Sequence, residues 1–241
     1  MAIKTNELKE ALTALEVSKG ISQETIVLIL KETLEKGFRK EIGFEDANVE
    51  CVIDLENDIF SCVLSNGIRV VHLYDDSPVA YCGFAINVGT RDELDSESGM
   101  AHYIEHTLFK GTQKRRSWHI LNRLDSLGGE LNAYTTKEET FVYANMLKED
   151  YERAMELCSD IVFHSTFPQK ELDKEVDVII DEIHSYKDTP SELIYDEFEE
   201  NLFQGTPLGR NILGEAKRLK KYKTEDCVSF VKRTYCTDKI L

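Results

Sequence analysis

The sequence predicts an α+β fold, with a largely antiparallel sheet and helices packed on it. Segments with apolar residues every three or four positions mix irregularly with short period-two runs, instead of following the strict alternation of a parallel α/β protein. Asn66-Gly67 between two apolar runs signals a tight turn. Glu130–Thr135 and Thr140–Met146 follow one another as two antiparallel strands.

The elements can be justified in order. Residues 5–18 predict a helix capped by Thr5 or Asn6, with Leu8, Leu12 and Leu15 as its apolar stripe and Gly20 after its end. Ser22 caps a second helix running to about Lys36, with Ile26, Ile29, Leu30 and Leu34 inward and Gly37 following. Val49–Leu55 reads as a strand, so the start of the chain is a small helical hairpin plus strand. The character changes near Glu56–Ile59, and a strand begins at Ser61. Ile68–Leu73 and Ala80–Val88 are further strands, and an acidic, Ser-rich loop runs to Gly99. A helix follows and breaks at Gly111; Ser117 caps the next, which Gly128-Gly129 stops. Asp150 opens a helix that buries Ala154, Leu157, Cys158, Ile161 and Val162. Helices are also predicted from about Lys170 to Tyr186, from Pro190 to near Gly205, and from Thr224 to Tyr235. Lys239-Ile240-Leu241 reads as the start of a strand.

The chain has 241 residues, 41% hydrophobic and 31% charged, the composition of a soluble globular protein. A net charge of −16 argues against a binder of nucleic-acid phosphates, while leaving room for a basic peptide in an acidic cleft. No two of the six cysteines form a C-x-x-C pair, which argues against a cysteine zinc site. With no signal-like start and no long apolar stretch, the expectation is a cytoplasmic protein with free thiols.

The chemistry concentrates in MAHYIEHTLFKG, Met100–Gly111. His102 and His106 stand at i and i+4, so a helix presents both imidazoles on one face, with Glu105 beside them. Two neutral imidazoles and a carboxylate suit zinc, the carboxylate serving as general base toward water. The H-x-x-E-H order is the inverted form of the zinc-protease helix motif, although a helix with two structural histidines has the same pattern. A catalytic zinc site takes a third protein ligand. In KELDKEVDVIIDEIHSY, Glu175 and Glu182 lie two turns apart on one face. Glu182 is set among Val178, Ile179, Ile180 and Ile183, where a buried carboxylate needs a cation. Periodicity alone favours Glu182 facing water while the isoleucines face inward. His184 is a rival ligand that leaves this face.

Two resemblances complete the reading. LSNGIRVV (Leu64–Val71), GTRDE (Gly89–Glu93), GMAHYIEHTLFKGT (Gly99–Thr112), LGGELNAYTTKEET (Leu127–Thr140), KEVDVIIDEI (Lys174–Ile183) and FQGTPLGRNILG (Phe203–Gly214) occur in this order. Together they resemble the N-terminal catalytic domain of the pitrilysin, insulysin and mitochondrial processing peptidase family, the inverzincins, from about Ser61 onward. The resemblance implies zinc held by His102, His106 and Glu182, with Glu105 as the catalytic base. It makes Glu175 an outer-shell acid and makes Asn132 and Ala133 the edge that an extended peptide joins by backbone hydrogen bonds. It also implies a second half of similar fold, so the chain is expected to need that missing half or a partner subunit. Residues Glu7–Glu41, with Asn48-Val49-Glu50 and Val52-Ile53-Asp54, resemble the start of the bacterial transcription elongation factor NusA, whose N-terminal domain contacts RNA polymerase. The expected organisation is a head over residues 1–57 and a peptidase domain over 58–241. Three functions follow: a zinc endopeptidase half, an inactive metal- or peptide-binding domain, and an RNA polymerase adaptor.

Overall fold

A computed structural model of the chain describes residues 5–41, 49–54, 59–64, 66–73 and 75–241. Their contacts divide the chain into two compact units, Met1–Ser77 with Ile240–Leu241, and Pro78–Lys239.

In the first unit, helices α1 (Thr5–Lys19) and α2 (Gln23–Glu41) precede strands β1 (Glu50–Asp54), β2 (Ile59–Val63) and β3 (Arg69–Leu73). The strands form an antiparallel meander in the order β1-β2-β3, with Cys51 opposite Cys62. Val49, Cys51 and Cys62 form its buried cluster, with Leu34 of α2 packed against it. The Asn66-Gly67 turn forms as expected: Gly67 takes φ 92°, and Leu64 N–H donates to Ile68 O at 2.8 Å. The expected boundary near residue 57 moves to Ser77–Pro78, because β2 and β3 pair with β1 instead of joining the later sheet. The second helix runs through Gly37 to Glu41; one interior glycine costs a helix only about 1 kcal/mol. Leu12 and Ile26 are buried as expected, but Leu15 and Ile29 are exposed, since so small a unit has little partner surface for both stripes. The side chain of Leu8 and residue Leu55 lie outside the described residues.

The second unit carries β4 (Val79–Ile86), α3 (Met100–Leu108), α4 (Ser117–Asp125), β5 (Glu130–Thr135) and β6 (Thr140–Leu147). Then come α5 (Tyr151–His164), α6 (Gln169–Lys187), α7 (Pro190–Leu202), α8 (Ala216–Leu219) and α9 (Thr224–Thr234). Its sheet has the order β4-β6-β5, antiparallel throughout, with Ile86 opposite Thr140 and Thr135 opposite Thr140. The period-two pattern of β6 buries Thr140, Val142, Ala144 and Met146. Helix α5 packs across β4 and β6 and buries Ala154, Leu157, Cys158, Ile161 and Val162. Helices α3 and α4 lie against β5, and α3 also packs on α6. Among the described residues no strand pairs with the outer side of β5.

The short helix α8 is absent from the sequence expectation. The expected C-terminal strand is a 3-10 turn, Thr237–Lys239, followed by a bridge in which Arg69 N–H donates to Ile240 O at 3.1 Å. All six cysteines are free. No described helix is long and apolar enough to cross a membrane.

Two loops meet at Gly99 and Gly214, both left-handed with φ 80° and 71°. A Cβ on Gly214 would lie 2.5 Å from Gly99 Cα. Gly214→Ala is therefore expected to cost roughly 1–3 kcal/mol of stability, because it combines backbone strain with a backbone clash. The urea midpoint should fall accordingly; an unchanged midpoint would mean that this contact does not exist in solution.

Candidate metal centre

Helix α3 is short but buried on nearly every side: Met100, Ala101, Tyr103, Ile104 and Leu108 are all about fully enclosed, and His102 is 7% exposed. Its apolar residues pack it against β5 and α6, so the histidines enter the interior of the unit. Tyr103 is the strap between the helices. Its ring is buried and its hydroxyl donates to Leu172 O on α6 at 3.0 Å. This contact fixes the spacing of α3 and α6, on which the meeting of the sites on the two helices depends.

The two imidazoles stand side by side, ring centroids 4.5 Å apart. Glu182 comes to them from α6: its Oε2 lies 3.4 Å from His106 Nε2 and 3.7 Å from His102 Nε2. One ligand atom from each of these three residues falls within 4.8 Å of the others. The inward stripe of α6 is Leu172, Glu175, Val176, Ile179 and Ile183. Glu182 sits on the flank of that stripe, half-buried, and faces the histidines instead of open water. His184 is exposed and takes no part.

The surrounding groups polarise the pair unequally. Glu175, 8% exposed, accepts from His106 Nδ1 at 3.1 Å and pairs through its other oxygen with Lys110 Nζ at 2.7 Å. A proton on Nδ1 leaves the lone pair of neutral His106 on Nε2, the atom facing Glu182. Burial works against the charged form of His106, but Glu175 and Glu182 outweigh it and raise the ring to about 9. Burial and the neighbouring His106 push His102 down to about 4. The His106 ring beside Glu182 holds that carboxyl below the usual range despite burial. Burial also opposes ionisation of Glu175, and the bonds from His106 and Lys110 override it.

Whether these residues suit a cation can be judged from what they leave unsatisfied. Glu182 Oε2 is buried and makes no well-aligned hydrogen bond, and His102 Nδ1 is likewise without a partner. An orphaned buried carboxylate oxygen costs about 1–3 kcal/mol or more. Here it lies between two imidazole Nε2 atoms, the donor set that divalent zinc favours. The residues fit.

Glu105 is on the same helix, half-buried, and burial raises its proton affinity above that of an ordinary carboxylate. The hydroxyl and backbone N–H of Thr135 on β5 face it and partly offset that rise. Asn132 is exposed and Ala133 half-buried on the outer strand, where Ala133 N–H donates to Asn132 Oδ1 at 2.8 Å. The structure thus brings His102, His106 and Glu182 together, with Glu175 behind His106 and Glu105 between α3 and β5. Sequence reasoning missed Lys110 and Thr135. Lys110 had a readable signal, its place four residues after His106, although it lies in the turn that follows α3. Thr135 had only its alternation with Ala133 and Leu131 on one side of the strand.

Residues 69–216 match the family model described as Insulinase (Peptidase family M16). Residues 7–80 match the model of the NusA N-terminal domain, further along the chain than the quoted motifs and overlapping the first match. A zinc protease of Rickettsia felis is 37% identical over 175 residues, covering 71% of this chain and 42% of that protein. The mitochondrial-processing peptidase subunit beta of Bos taurus is 34% identical over 191 residues, covering 78% of this chain and 38% of that one. The chain therefore spans about two fifths of the length of these relatives. Among solved structures, the periplasmic protease PqqL of Escherichia coli superposes with a TM-score of 0.71 at 23% identity, over 76% of this chain and 21% of that one. A protease from Helicobacter pylori superposes with a TM-score of 0.70 at 22% identity, over 76% of this chain and 44% of that one. At those identities the superpositions speak for the fold. With its family match running over most of the second unit, the chain belongs to the insulinase family, peptidase family M16.

Proposed function

We propose that the second unit is the catalytic half of a zinc metalloendopeptidase that hydrolyses peptide bonds in extended or unfolded peptides. The observation that carries this reading is the orphaned Glu182 Oε2 between His102 Nε2 and His106 Nε2, with a half-buried carboxyl, Glu105, on the same helix. His102, His106 and Glu182 would hold the zinc. Bound there, zinc supplies Lewis acidity, which makes water a better nucleophile at neutral pH and polarises a carbonyl.

The residues of the chain supply the rest. Glu105 accepts a proton from the attacking water as the water oxygen bonds to the scissile carbonyl carbon. It returns that proton to the amine nitrogen as the C–N bond breaks, so water is consumed and the carboxylate ends as it began. A proton affinity above that of a free carboxylate suits both halves of this cycle. Thr135 holds Glu105 toward β5, the strand whose outer edge has no strand partner among the described residues. An extended peptide pairing with that edge brings its backbone beside Glu105, with Asn132 and Ala133 along its path. Glu175, anchored by Lys110, keeps the His106 ring turned so that Nε2 faces the site. The lengths of the relatives support a further proposal, that full activity requires a second half of this fold or a partner subunit.

Zinc-loaded chain is expected to cleave an unstructured peptide and to lose this activity with a chelator. Glu105→Gln should keep zinc bound and lower turnover by a factor on the order of 10²–10⁴. Turnover retained by Glu105→Gln would contradict its role as base.

The match over residues 7–80 supports a second, separable role for the first unit, contact with RNA polymerase. Immobilised full chain should retain bacterial RNA polymerase from solution; no retention would remove this reading.

A further inference from the structure

Helix α3 begins at Gly99, a residue with no side chain to cap the first turn. The missing cap comes from upstream. Glu93, 4% exposed, turns its carboxylate onto the start of the helix: Oε2 accepts from Gly99 N–H at 3.1 Å and Oε1 from Ala101 N–H at 3.0 Å. Both oxygens of one buried carboxylate are thereby used by backbone groups bracketing the first helical residue. Glu93 is itself held, because the Arg210 guanidinium donates to its carbonyl and to Asp95 Oδ1. The loop that follows Arg210 returns Gly214 against Gly99, so the helix start is gripped from two directions.

The anchored residue, Ala101, precedes His102. The two histidines differ in how their rings are kept in place. His106 Nδ1 bonds to Glu175, which fixes that ring from its far side. His102 Nδ1 is buried and has no hydrogen-bond partner. The position of His102 Nε2 therefore depends on where the backbone of α3 sits.

We propose that Glu93 is a positioning residue for the cation site: its carboxylate sets the first turn of α3 and so aims His102 at the point that His106 and Glu182 also face. The proposal rests on the zinc reading of that site. Glu93→Gln keeps the size of the side chain, but its amide offers one acceptor and sets N–H against N–H at the other contact. Glu93→Asp keeps both acceptors and retracts them by one methylene.

The test measures the zinc dissociation constant of the full chain by competition with a chelator, together with the urea midpoint. Glu93→Gln should bind zinc on the order of 10–100-fold more weakly, the loss typical when an outer support of a ligand is removed. Glu93→Asp should fall between it and the native chain. Ile120→Ala, a buried truncation on α4, should lower the midpoint and leave the zinc constant unchanged. Folded Glu93→Gln with native zinc affinity would overturn the proposal. If Glu93→Gln does not fold, Glu93→Asp decides on the same criterion, and loss of fold in both overturns it, since the carboxylate then serves the fold. A native chain that binds no zinc would fail the metal reading first and take this inference with it.

Discussion

One carboxylate oxygen governs the chemistry of this chain. Glu182 Oε2 is enclosed, poorly hydrogen-bonded and flanked by the Nε2 atoms of two imidazoles at 3.4 and 3.7 Å. Water or a donor would normally satisfy such an atom, and leaving it bare costs stability. Here it is set instead between two imidazole nitrogens that α3 presents one turn apart. That arrangement holds only while α3 and α6 keep their separation. Tyr103 fixes it in the middle, through its bond to Leu172 O, while the Glu93 carboxyl accepts from the backbone at the start of α3.

The same helix serves two ends. One face presents His102 and His106 to Glu182, while Glu105 reaches toward Thr135 on β5. On the proposed reading, the strand that supports the proton-transfer group is therefore also the edge that receives a peptide. A substrate that pairs with β5 is aligned by the act of pairing. Side chains on an outer strand alternate in exposure, here Asn132 and Tyr134 outward with Ala133 and Thr135 less so, which separates groups that meet a peptide from groups that support Glu105.

The fold class and most helices of the second unit were legible because their apolar periods are long and clearly bounded, as in α5 and α6. The i, i+4 histidines were legible for the same reason: local spacing fixes local geometry. The proposed third ligand was not. Periodicity left Glu182 free to face water, and it sits on the flank of the buried stripe where helical phase does not decide; only the family resemblance selected it. Contacts across long sequence separations stayed hidden, among them Thr135 to Glu105 and Arg210 to Glu93. The contacts divide the chain at Ser77–Pro78 and not near residue 57, because the pairing of β1-β2-β3 is a choice among partners that composition does not show. Gly37 misled as a helix stop because one glycine weighs too little against the rest of α2.

The most direct measurement is anomalous diffraction at the zinc edge from crystals of the zinc-loaded chain. The account predicts one strong peak about 2.0–2.2 Å from His102 Nε2, His106 Nε2 and a Glu182 carboxylate oxygen. A peak held by the cysteine thiols, or a Glu182 side chain turned away from both rings in the loaded crystal, would contradict it.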